Sequence, residues 1–221
     1  MENNVEIYKG LLSDTFARLM NFTLLEEFEE RLGESIELFY NLKEGDSYEF
    51  DPENEFLFLT WFLLDDTDSD EKSLMNEFMK RNESELSPTE KQICLALIDT
   101  NLTLLEVREV KEGKSLKLKD LFLGEEFEVA EAAGADMKFK DNLLFTRVLR
   151  LGDERFLVGA GAFLPSVIKA QILAFISKEF QNECETSSPI SFKQFLKRNG
   201  ELLNWWIVAW QKGIEESKAR E

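Results

Sequence analysis

The chain has 221 residues, no histidine, two cysteines and a formal net charge of −18. Without histidine, Ser-His-Asp and Cys-His nucleophiles, His-ligated zinc and haem, and phosphohistidine transfer are excluded. An apolar fraction of 43% is enough for a real core in one large domain or two small ones, and any enzyme here would work through carboxylates, Lys, Tyr or an oxygen-ligated metal.

Residues 1–101 read as an acidic helical unit: residues 1–100 carry 8 Lys/Arg against 25 Asp/Glu, a net of −17. Val5, Leu11, Leu12, Phe16, Leu19 and Met20 recur at helical spacing. Leu24, Leu25, Phe28, Leu32, Ile36, Leu38 and Phe39 then form an apolar stripe beside a run of glutamates, the wet side of an amphipathic helix. Asp51-Pro52 supplies an N-cap and a first-turn proline for a buried helix that runs to Leu64. A short helix is expected over about 73–81, and Ser87 with Glu90 makes a capping box ahead of KQICLALIDT.

After Asn101 the pattern becomes alternating, which predicts an antiparallel β unit over residues 102–164. Turns fall at Glu112-Gly113-Lys114, Leu123-Gly124-Glu125 and Gly152-Asp153-Glu154, the last joining strands 143–151 and 155–163. Such short strands suggest a small curled sheet or partial barrel, in which Gly159 and Gly161 ease a sharp bend or a close backbone approach. Residues 165–221 form C-terminal helices packing on the other two units. Pro165 opens a helix over 166–183, Ser191 and Gln194 make a second capping box, and Asn199-Gly200 separates the last two helices. The expected fold class is α+β, with an acidic helical unit, a central antiparallel sheet or partial barrel, and C-terminal helices.

The segments FLTWFLLDD, LSPTEKQICLALIDTNLTLLEVREVKEGKSLKLKDLFLGEEFEVAE and DNLLFTRVLRLGDERFLVGAGAFLP resemble a bacterial family of uncharacterised proteins, some of which carry a C-terminal zinc-binding SEC-C motif. The resemblance covers about residues 50–165 and is weaker in the C-terminal helices. Its pattern is one of fold-forming residues without a catalytic signature. The Cys-rich SEC-C tail does not occur in this sequence, so no metal role carries over.

Four groups of residues are candidates for chemistry. In DDTDSDEKSLMNE, Asp66, Asp68, Asp70, the Lys72 carbonyl and Glu77 occupy positions 1, 3, 5, 7 and 12 of a helix–loop–helix calcium loop. Glu71 stands where that loop needs a glycine, and Ser73 where it needs a branched apolar residue, so a wet turn with Ser73 capping the next helix is the favoured reading. Trp205, Trp206 and Trp210, with Leu202, Leu203, Ile207 and Val208, cover more than one helix face. They are either sandwiched in the core or kept for a partner. Glu106, Glu109, Asp120, Glu126 and Glu128 lie near strands, but with 44 acids in the chain such groupings arise by chance, and no catalytic residue is assigned. Lys111, Lys114, Lys117, Lys119, Lys138, Lys140, Arg147 and Arg150 offer at most a modest basic stripe. The nearby acids and the negative N-terminal unit disfavour direct nucleic-acid binding.

The apolar runs FLFLTWFLL and LLNWWIVAW are nine residues each, against about 20 for a membrane span. The polar N-terminus has no signal-peptide pattern. Together these features point to a cytoplasmic, non-catalytic interaction or regulatory module. It would take no cofactor and bind a protein partner with a basic surface. A carboxylate-based metal-dependent hydrolase is the alternative, and an acidic nucleic-acid mimic that blocks a DNA- or RNA-binding protein is the third reading.

Overall fold

The structure, a computed structural model, describes residues 2–43, 45–46, 52–68, 71–130, 135–186 and 189–218. Five helices come first: α1 (Glu2–Thr23), α2 (Glu29–Tyr40), α3 (Pro52–Leu64), α4 (Leu74–Arg81) and α5 (Pro88–Ile98). The cap expected at Asp51 lies outside the described residues. The other local signals act as anticipated. The Ser73 N–H donates to Asn76 Oδ1 at 3.1 Å at the start of α4. At the start of α5 the Ser87 N–H donates to Glu90 Oε2 at 2.8 Å. Helix α3 reads as apolar nearly all round, and Leu57, Phe58 and residues 61–64 are all buried.

The stripe over residues 24–39 is shorter than its spacing suggests. Helix α1 ends at Thr23 and a 3-10 turn, Glu26–Phe28, intervenes before α2. Leu24 and Leu25 therefore sit on the turn and are exposed, while Phe28 and Phe39 are buried.

The sheet comprises β1 (Leu102–Lys111), β2 (Ser115–Asp120), β3 (Glu126–Val129), β4 (Leu143–Leu151) and β5 (Glu154–Leu164), all antiparallel in the order β3-β2-β1-β4-β5. Gly113, Gly124 and Gly152 take positive φ at the expected turns. The sheet curls until Cα atoms of β3 and β5 come within 8 Å across an open seam. One face, with Leu102, Leu104, Phe145 and Leu149, joins the helical core. The other, with Leu105, Val107, Leu116, Leu118 and Leu144, closes a second, smaller core inside the curl.

The β4–β5 ladder breaks where Phe145 pairs with Ala162 but Arg147 pairs with Val158. Gly159 and Gly161 sit in this bulge. A Cβ on Gly159 would lie 2.1 Å from the Phe56 ring, and one on Gly161 would lie 2.7 Å from Leu144 Cδ1. The anticipated close approach is therefore real.

After a 3-10 turn at Ser166–Ile168 come α6 (Lys169–Thr186), α7 (Phe192–Arg198) and α8 (Glu201–Lys218). Helix α8 packs across α2 and α6. The main core draws residues from all three sequence units, from Leu12 through Phe145 to Ile207. Cys94 and Cys184 are free thiols. Among the described residues no helix is long and apolar enough to cross a membrane.

Candidate functional site

Hydrogen bonds within the acidic loop join Asp68 to Lys72. The Asp68 N–H donates to the Lys72 carbonyl and the Lys72 N–H to Asp68 Oδ1, each at 3.0 Å. Glu71 holds φ +59, the left-handed angle for which a calcium loop uses glycine. Asp66 is taken by Arg31, whose Nε donates to Oδ2 at 2.7 Å and whose Nη2 donates to the Asp66 carbonyl at 2.9 Å. Burial raises the Asp66 carboxyl, and Arg31 opposes the shift. Glu77 turns instead to Arg81, which also holds Glu27 at 2.6 Å. Asp70 lies outside the described residues. Among those described, no group of three acids or cysteines is arranged to hold a metal.

One residue before this loop lies a cluster that the sequence reading missed. Asp65 ends α3 with its carboxylate fully buried, and both terminal nitrogens of the Arg147 guanidinium donate to it, one at 3.2 Å. Lys197 Nζ, from α7, lies 2.6 Å from Asp65 Oδ1 and donates to the Thr100 carbonyl at 2.9 Å. Arg147 also reaches Thr100 Oγ1 at 3.0 Å. Helix α3, the end of α5, strand β4 and helix α7 are thus tied at one carboxylate. Two charges this deep are tolerated because they pair with each other, although Arg147 Nε has no hydrogen-bond partner among the described residues.

Glu201, at the start of α8, completes the cluster. Burial pushes its carboxyl up to about 7, and the negative charge of Asp65 adds to the shift. The Trp61 indole N–H lies near enough to favour the charged form, but neither it nor Glu201 Oε2 has a partner in hydrogen-bond geometry among the described residues. Burial likewise lowers the Lys197 amine. The cluster can hold a proton near neutral pH. Arg147, grouped from sequence with the exposed basic residues, is wholly buried. The signal was available: in Leu143-Phe145-Arg147-Leu149-Leu151 it occupies a core-facing position of an alternating strand.

A groove of about 450 Å³ runs between the loop and the α2 region, lined by Glu27, Glu30, Arg31, Glu34, Leu38 and the Asp66–Asp68 stretch. Leu38 is 45% exposed at one end, and the Trp205 indole N–H donates to its carbonyl at 2.6 Å. All three C-terminal tryptophans are half-buried; Trp206 and Trp210 pack on the main core. Leu203 and Ile207 are fully in that core.

Four of the five sheet carboxylates singled out from sequence are engaged in structural contacts, while Glu126 is exposed on β3. Glu106 meets Lys169 at 2.7 Å and Arg108 at 2.8 Å. Glu109 meets Lys117 at 3.1 Å, and Glu128 meets Lys111 at 2.7 Å. Asp120 accepts from the N–H groups of Phe122 and Leu123 and from Thr103 Oγ1. The same pairs neutralise part of the lysine stripe.

These features define an α+β protein with a half-barrel sheet between helical flanks, an acidic groove and a buried ionic tie. The chain belongs to a family of unknown function (DUF7986), whose family model matches residues 2–200. No curated protein and no solved structure matches it.

Proposed function

We infer that the chain is a non-catalytic interaction or regulatory module that takes a basic segment of a protein partner along the groove between α2 and residues 66–68. The observation that carries this reading is the pairing of an acidic wall, led by Glu30 and Glu34 because Arg81 already holds Glu27 and Arg31 already holds Asp66, with an apolar end at exposed Leu38 and half-buried Trp205. Arginines and lysines of a partner would meet the wall, and one large apolar side chain would seat on the end. The acidic loop serves this reading as a groove wall rather than as an ion site. A cytoplasmic setting, a bacterial origin and kinship with chains that carry a zinc-binding SEC-C tail belong to the same proposal.

The test is a pull-down of the tagged chain with nuclease present, at low and high salt, beside the charge-reversal variants Glu30→Lys and Glu34→Lys. A stoichiometric protein partner that is lost at high salt and with either reversal is the expected result. A partner indifferent both to salt and to the reversals sinks the reading.

A further inference from the structure

The curl of the sheet opens at one end into a cavity of about 270 Å³. Val148 and Leu157 pack on the inner core, so the period of two along a strand places Arg150 and Arg155 on that same inner face. The two are direct partners in the β4–β5 register, and both line the cavity. Like charges directly opposite each other on antiparallel strands repel. Yet neither has an ion-pair partner among the described residues. Arg150 Nε reaches the Gly152 carbonyl at 3.3 Å, and Arg155 Nη1 reaches the Glu154 carbonyl at 3.4 Å. In a chain with 44 acids and 26 bases, two juxtaposed guanidiniums without a carboxylate are an unspent resource.

The remaining charges at the mouth sharpen the chemistry. Lys193 is neutralised by Asp99 at 2.7 Å. Asp120 keeps its charge, but its oxygens face inward to two backbone N–H groups and Thr103. Glu125 is the acid left over on the rim, with Phe127 and Val148 supplying apolar wall. We propose that the mouth of the half-barrel binds the phosphate of a small phosphate monoester between Arg150 and Arg155. A phosphate monoester near charge −2 matches two guanidiniums, each able to present a two-donor fork to its oxygens. Glu125 then accepts from a hydroxyl or amino group of the ligand's body. Mouths of β-barrels are recurrent ligand sites.

The proposal is tested on the full chain by calorimetric titration with inorganic phosphate, and with acetate at matched ionic strength. Saturable phosphate binding is expected, weakened roughly tenfold or more by either Arg150→Gln or Arg155→Gln. Lys140→Gln, an exposed residue outside the mouth, should leave it unchanged. The ligand-free melting temperature of Arg155→Gln should rise as the repulsion is relieved. Absence of saturable binding, equal binding by the arginine variants and the wild type, acetate binding as tightly as phosphate, or a fall in that melting temperature would each overturn it.

Discussion

Gly159 and Gly152 both hold a left-handed backbone, φ +75 and +62, but their surroundings differ. A Cβ on Gly152 meets nothing within 4 Å, whereas one on Gly159 lands 2.1 Å from the Phe56 ring. Gly152→Ala should therefore cost about the backbone strain alone, ~1 kcal/mol, and Gly159→Ala ~2–4 kcal/mol, because Phe56 must also leave its seat. Urea midpoints of the two variants check this, and equal losses would mean that Phe56 yields freely. Glu201 bears on pH. Its carboxyl moves from an ordinary 4.5 to about 7 on folding. Below 4.5 both states are protonated; between 4.5 and 7 the native state keeps a proton that the unfolded state has lost. Stability contributed by this residue thus falls as pH rises through that window, by roughly 2–4 kcal/mol in all. Glu201→Gln should flatten the slope of stability between pH 5 and 8 relative to the wild type (the raised carboxyl of Asp66 leaves a residual slope in both), and an unchanged slope would remove Glu201 as its source.

The ionic tie joins elements far apart in the chain. Asp65→Ala strands the fully buried Arg147 and should cost ~3–5 kcal/mol, while Asp65→Leu combined with Arg147→Met and Lys197→Met should recover most of that loss. Lys197→Met alone should cost less than Asp65→Ala, since its side chain is 26% exposed. A loss under ~1 kcal/mol for Asp65→Ala in chemical denaturation would show that apolar packing alone holds α3, β4 and α7 together. The elements themselves were largely legible, because their signals are local. Ser87 with Glu90 and Ser191 with Gln194 each close a box within four residues, and Gly113, Gly124 and Gly152 mark turns by backbone angle. What the sequence could not reveal is long-range. Asp65 and Arg147 are 82 positions apart, and nothing near residue 143 states that β4 returns to the free edge of β1. The groove was half legible: its glutamates were read as a wet helix face, but their alignment with Asp66–Asp68 depends on tertiary packing.

At the scale of the molecule, −17 of the −18 charges lie in the first hundred residues. Such a concentration repels itself and weakens the compact state. Raising salt from roughly 0.01 M to roughly 0.15 M shortens the screening length from about 30 Å to about 8 Å. The melting temperature should therefore rise over that range while capture of a basic partner weakens. A melting temperature that falls with salt would place the net electrostatics of the fold on the attractive side.

The strand order also has a consequence for synthesis. Strand β1 lies at the middle of the sheet, but its two neighbours emerge at different times: β2 follows within a few residues, and β4 begins only at Leu143. A nascent chain that has released β1–β3 still carries one bare β1 edge and the uncovered face of Leu102 and Leu104. A ribosome stalled before about residue 151 would thus hold a sticky half-sheet. Truncations in this stretch should aggregate or recruit chaperones, whereas the full chain, which adds β4, β5 and the core residues of α6–α8, should not.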